Sequence, residues 1–143
     1  MYTKINEKDS IMKLGAIYSK EKTTFTLFSP VADSVFVIFY DKGNDSTETG
    51  RLEMMRGEGE LRSIFSATAE GNLDGVYYTY EVHTADGTFS SHDPYARACG
   101  VNGHRSMVID LSKTDPDGFA DEDRPKLADP MSMVITEVSI ADV

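Results

Sequence analysis

The sequence predicts an all-β fold, a two-sheet β-sandwich of about seven to eight short strands. Short β-branched and aromatic runs recur along its length. Turn signals rich in Gly, Asn, Asp and Pro separate them. No stretch shows an amphipathic helical period of convincing length, and no internal repeat is visible.

Residues 1–13 read as a lead-in of mixed polarity, and structured patterning starts at Leu14-Gly15-Ala16. Thr23 to Phe28 is β-branched and aromatic and stops at Ser29-Pro30. Ser34 to Tyr40 is the strongest strand pattern. Val35, Val37 and Phe39 share one face, and Phe36, Ile38 and Tyr40 the other. Both faces are apolar, so this strand is expected to be covered on both sides.

Asp41 to Gly50 reads as a turn-rich loop, Arg51 to Met55 as a short strand and Arg56 to Glu60 as a tight turn. Leu61 to Ala67 alternates, with Leu61, Ser63, Phe65 and Ala67 on one side. Asn72 to Gly75 is a turn before Val76 to Thr84, where Tyr78, Tyr80 and Val82 share a face. Ala85-Asp86-Gly87 reads as a hairpin turn into Thr88-Phe89-Ser90. Ser91 to Arg105 reads as irregular, and Ser106 to Leu111 as a further strand. The sandwich is thus assigned residues 14–111. Residues 112–143 form an acidic, Pro-punctuated linker ending in an extra apolar strand, Met133 to Ile140.

With 143 residues the chain is long enough for one domain with a real core. Its formal charge of −10 would repel nucleic acid and an anionic membrane, while a neutral polymer such as a glycan is indifferent to it. Cys99 is the sole cysteine, so no internal disulfide can form. The polar N-terminus has no apolar signal-peptide region, and a cytoplasmic location is expected.

Several of these residues also resemble a family. Leu14-Gly15-Ala16 with Tyr18, then Thr24 to Pro30, Ala32 and Val35 to Tyr40, are similar to the opening of the immunoglobulin-like module that precedes the barrel in pullulanases, isoamylases and branching enzymes. Gly75 to Val82, Asp93-Pro94-Tyr95-Ala96 and Val101 to Leu111 resemble type I pullulanases in particular. Asp115 to Phe119, with Arg124-Pro125, resembles the connector into the barrel. In the terminal stretch Glu137 and Asp142 keep the frame of the first barrel strand, while Thr136, Ser139, Ala141 and Val143 replace the family's Tyr, His, Arg and Phe.

The resemblance implies a non-catalytic N-terminal accessory module that packs on a catalytic barrel. For the parent protein it implies cleavage of α-1,6 branch points in pullulan, amylopectin or glycogen. Retaining glycosidases need two facing carboxylates, and in the resembled enzymes these come from later barrel strands. No hydrolase activity is therefore expected of this chain. A stand-alone interaction domain is the alternative, self-associating as a homodimer through Met133 to Ile140 by strand addition.

Neither cofactor nor metal is expected. His83, His92 and His104 are far apart and lack zinc-site spacing. Asp115, Asp117, Asp121, Glu122 and Asp123 lack the glycine and the ligand offsets of a calcium loop and read as a solvated linker. Glycan-binding surfaces stack aromatic rings on the apolar face of a pyranose and surround it with polar groups. The chain has no Trp, so a platform must come from Tyr or Phe. Tyr77, Tyr78, Tyr80 and Tyr95 are the candidates, with Lys42, Asn44 and Asn102 as hydroxyl partners. Core packing is the competing reading of tyrosines on a strand.

Overall fold

A computed structural model describes residues 13–123, 126, 128–139 and 141. The first twelve positions of the lead-in, Arg124-Pro125 of the connector, and Ile140, Asp142 and Val143 of the terminal frame lie outside the described residues.

Among the described residues nine strands form: β1 (Gly15–Tyr18), β2 (Lys22–Phe28), β3 (Ser34–Tyr40), β4 (Glu48–Arg56), β5 (Ile64–Glu70), β6 (Tyr77–Thr84), β7 (Gly87–Ser91), β8 (Ala98–Cys99) and β9 (Ser106–Met107). All pairings are antiparallel, in the order β1-β2-β5-β4-β3-β6-β9-β8, with β7 also on β6. β4 joins two layers. Val35 to Tyr40 of β3 pair with its residues 48–54, whereas Met55 and Arg56 pair with Ser66 and Phe65 of β5.

Ring contacts show that the ladder folds over on itself. Phe25 on β2 and Tyr78 on β6 are separated by three strands in the hydrogen-bonded order, yet their rings meet edge to face at 5.0 Å. Phe25 also meets Phe39 of β3 at 5.7 Å. Between the layers lie Phe25, Leu27, Val35, Val37, Met54, Phe65, Tyr78, Tyr80 and Val108, all buried. This is the facing-sheet core of an immunoglobulin-like sandwich. The apolar alternation expected of β3 is present: Val35 and Val37 face the core, and Ile38 is buried on the other side.

Local departures from the expected elements have physical causes. β4 begins at Glu48, inside the expected loop, because β3 offers it an edge to pair with as far as Tyr40. Leu61 belongs to a 3-10 turn, Gly59–Leu61, and is exposed. Its amide donates to Glu58 O at 3.0 Å, and Gly57 N closes the turn on Ile64 O at 2.8 Å, so pairing resumes only at Ile64. β8 arises inside the stretch read as irregular, because Ala98 and Cys99 find partners in Met107 and Ser106. The strand expected from Ser106 to Leu111 keeps only its first two residues as β9.

The chain divides into two compact units at Leu111/Ser112. In the second, Asp129 caps the 3-10 turn Pro130–Ser132 by accepting from Met131 N at 2.9 Å. The extra strand expected over Met133 to Ile140 is absent from its described residues. Residues 133–139 carry no ladder, and Val134, Ile135 and Val138 are exposed, Val134 to 95%. An isolated extended segment has no edge to satisfy its amides, so apolar alternation alone does not make a strand.

Candidate functional site

The seven candidate glycan contacts divide into groups. Tyr78 and Tyr80 are 0% and 1% exposed and fill the core, so neither can stack on a sugar. Both phenols donate to Asp93 Oδ2, at 2.7 and 3.2 Å. Asp93 is itself 3% exposed. Its Oδ1 accepts from Tyr95 N at 2.8 Å, and its own amide donates to Ser106 Oγ at 2.7 Å. Burial, reinforced by the Asp93 charge and hydrogen bond, pushes both phenol pKa values far above the ordinary tyrosine range. This satisfied polar cluster inside the sandwich ties the Asp93-Pro94-Tyr95 turn to the core. Tyr95 is half-exposed beside Gly15, at the end of β1.

Asn44 and Asn102 do come together, over the opposite face of β6, in a groove that neither Tyr77 nor Lys42 lines. Strand alternation turns Tyr77 and Thr79 away from the core. Over that face lie two irregular segments: the β3–β4 loop, residues 41–47, and the β8–β9 hairpin, residues 98–107. Their backbones touch. A Cβ on Gly100 would sit 2.6 Å from Gly43 Cα, and one on Gly43 would meet Gly100 Cα at 2.9 Å and the Tyr77 ring at 3.1 Å. Only glycine fits either position.

Between the segments opens a groove of about 410 Å³, lined by Tyr40, Asn44, Asp45, Thr79, Ser90, Val101, Asn102, His104 and Arg105. Asp45 and Asn102 have φ of 46° and 53°, so a positive-φ residue stands on each wall. Asp and Asn tolerate this conformation better than other side-chain-bearing residues. Asn44 Nδ2 donates to Asp45 Oδ2 at 3.0 Å.

The groove offers hydroxyl-matching chemistry with little stacking surface. Asn44 and Asn102 carry amides that both donate and accept, and Val101 presents an exposed apolar patch. Tyr40 supplies the one phenol ring among the lining residues, but the Arg105 guanidinium lies 3.5 Å from its centroid and its hydroxyl pairs with Thr79 Oγ1 at 3.3 Å. Lys42 is exposed on the same loop, and its carbonyl accepts from Arg105 Nη1 at 2.7 Å.

Tyr40, Thr79, Ser90, His104 and Arg105 were absent from the sequence candidates. Alternation along β3 put Tyr40 on the outer face. Arg105 lies in the stretch Val101 to Leu111 that carries the family likeness, but nothing linear points to its partner Ser46, 59 positions away. Among the described residues no cluster of His, Cys, Asp and Glu could hold a metal ion, and no helix is long and apolar enough to cross a membrane.

Comparison with known proteins assigns this architecture. The profile of carbohydrate-binding module 48, the isoamylase N-terminal domain, matches residues 13–96. The chain belongs to the carbohydrate-binding module 48 family. Pullulanase A of Streptococcus pneumoniae serotype 4 is 31% identical over 116 residues, covering 76% of this chain and 9% of that protein. A crystal structure of Paenibacillus barengoltzii pullulanase in complex with maltohexaose and α-cyclodextrin superposes with a TM-score of 0.79 at 35% identity, covering 88% of this chain and 19% of that one. Pullulanase from Bacillus acidopullulyticus gives a TM-score of 0.74 at 36% identity, over 82% of this chain and 14% of that one. The chain thus spans under a fifth of the length of each of these relatives. The family match includes β1 to β7 and the Asp93-Pro94-Tyr95 turn. The β8–β9 wall of the groove lies beyond it.

Proposed function

We propose that this carbohydrate-binding module serves as the N-terminal accessory module of a pullulanase-like enzyme and contacts α-glucan through the groove between the β3–β4 loop and the β8–β9 hairpin. The observation that carries the reading is the meeting of Asn44 and Asn102, far apart in sequence, in one open polar groove on a module-48 fold. A groove of hydroxyl-matching amides with one apolar patch suits the edge of a glucose unit better than its face. The Paenibacillus barengoltzii relative, crystallised with maltohexaose and α-cyclodextrin, supports an α-glucan as the ligand class. Hydrolysis of α-1,6 bonds then belongs to a catalytic barrel outside this chain, since a β/α barrel takes about 250 residues.

Affinity electrophoresis in a glycogen gel tests the contact. Retarded migration that is lost in Asn102→Gly is expected. Glycine keeps the positive φ of this position and removes only the amide side chain. Migration identical to that in a gel without glycogen counts against the reading.

The segment 133–139 is assigned to a surface of that barrel, because its exposed Val134, Ile135 and Val138 lack an apolar covering. Sedimentation velocity of the isolated chain is expected to show a monomer. A dimer that disappears when residues 126–143 are removed would replace the barrel with a second copy of this chain.

A further inference from the structure

Arg105 is held inside the protein by several bonds to one loop. Its Nη1 donates to Lys42 O at 2.7 Å and to Ser46 Oγ at 2.8 Å, and its Nη2 donates to Ser46 O at 2.8 Å. The guanidinium carbon lies over the Tyr40 ring, 3.5 Å from its centroid. These hydrogen bonds engage three of its five N–H donors, all of them with the β3–β4 loop.

What these bonds hold is the β3–β4 loop. That loop reads Asp41-Lys42-Gly43-Asn44-Asp45-Ser46-Thr47, a run of polar residues around one glycine, with no apolar side chain to anchor it. Two contacts fasten it to the hairpin: the Gly43–Gly100 backbone approach and Arg105. The glycine approach fixes proximity, while the planar fork of Arg105 fixes orientation by engaging carbonyls on both sides of Asn44.

We infer that Arg105 is a positioning residue for the glycan groove: it locks the loop that carries Asn44 onto the hairpin that carries Asn102, so that both amides are set before ligand arrives. The inference rests on the glycan reading of this groove. Its consequence is a population effect. If the freed loop holds the binding arrangement about one tenth of the time, affinity falls about tenfold with every ligand contact still present. Lysine does not replace the lock, because a single ammonium cannot reach both carbonyls and lie flat on Tyr40.

The test uses the full chain. Maltoheptaose affinity is measured by calorimetric titration, and amide exchange of residues 42–46 by NMR, for the wild type, Arg105→Lys, Arg105→Ala and Asn102→Gly. Both Arg105 variants are expected to lose affinity on the order of tenfold and to exchange faster in residues 42–46, with core strands β3 and β6 unchanged. Asn102→Gly is expected to lose affinity without faster exchange in the loop. Millimolar guanidinium, but not sodium, is expected to restore both properties to Arg105→Ala, which a general loss of stability would not permit. Should Arg105→Ala fold poorly, the Arg105→Lys comparison stands in its place. Unchanged loop exchange in both variants overturns the inference, as does wild-type affinity in a variant whose loop is freed. A wild-type chain that gives no heat with maltoheptaose overturns the glycan reading alone, and the lock is then judged by exchange.

Discussion

On one face of β6, Tyr78 and Tyr80 are sealed between the layers and share the Asp93 carboxylate. On the other face, Tyr77 and Thr79 support an open groove whose walls are loops. The same residue type on alternate positions of one strand therefore has opposite tasks. The buried cluster holds the fold together and has every described partner in place. The groove is open, with Asn102 exposed and Asn44 half-buried on its walls. The stability of this module is thus expected to be concentrated at Asp93, and its binding at Asn44 and Asn102, with little overlap.

The sharpest way to break this contrast is Asp93→Ala. It strips two buried phenols of their acceptor and frees the Tyr95 amide, so a loss of about 3 kcal/mol or more is expected in urea unfolding. A loss under about 1 kcal/mol would mean the cluster is not the anchor described here.

Gly15→Ala comes next. Gly15 has φ +90°, and an added Cβ would lie 2.9 Å from Tyr95 Cβ and 3.1 Å from Tyr95 O, against the turn that Asp93 anchors. A cost of about 2–3 kcal/mol is expected, against about 1 kcal/mol for Gly71→Ala, where φ is +94° but nothing stands within 4 Å. Equal costs by chemical denaturation would show that the close approach adds nothing to the backbone strain.

Alkaline titration sharpens the comparison further. Because the folded pKa values of Tyr78 and Tyr80 are raised, the unfolded chain loses these protons first. Their contribution is intact below the ordinary tyrosine value near pH 10 and is lost as pH rises beyond it. Each phenol steepens the decline by up to about 1.4 kcal/mol per pH unit. Tyr78→Phe is expected to flatten that slope while lowering stability at neutral pH by about 1–2 kcal/mol for the lost hydrogen bond. Phenolate absorbance that appears from all tyrosines before unfolding would contradict the burial.

Smallest in stability is the effect of Asn102→Gly, expected within about 0.5 kcal/mol of the wild type because the side chain is exposed and the backbone already has positive φ. Its glycan affinity is nevertheless expected to fall. Opposite in sign is Thr23→Val. The buried Thr23 Oγ1 finds no hydrogen-bond partner among the described residues, so the isosteric valine is expected to be neutral or stabilising by up to about 1 kcal/mol.

Much of the body could be read from the chain because strand alternation is local. The two-sided burial of β3 and the shared face of Tyr78, Tyr80 and Val82 follow from period-two patterning, and both hold. The family likeness was also visible, in Gly75 to Val82 and in Asp93-Pro94-Tyr95-Ala96. The aromatic candidates fared differently. Period-two patterning says which residues share a face, but not which face another layer will cover, so Tyr78 and Tyr80 entered as sugar contacts and proved to be core. Arg105 lay within a stretch that carries the family likeness, but its role was not legible there, since it depends on Ser46 and Lys42 arriving from another part of the chain.

Read alone, the chain shows most of its turns, the alternation of its long strands and that it cannot use tryptophan. Those properties depend on neighbours within a few bonds. The tertiary structure decided which tyrosines meet water, that Gly43 and Gly100 touch, and that Asn44 and Asn102 share a groove. Contacts of that kind exist only once the layers have closed, because they join residues that nothing holds together in the open chain.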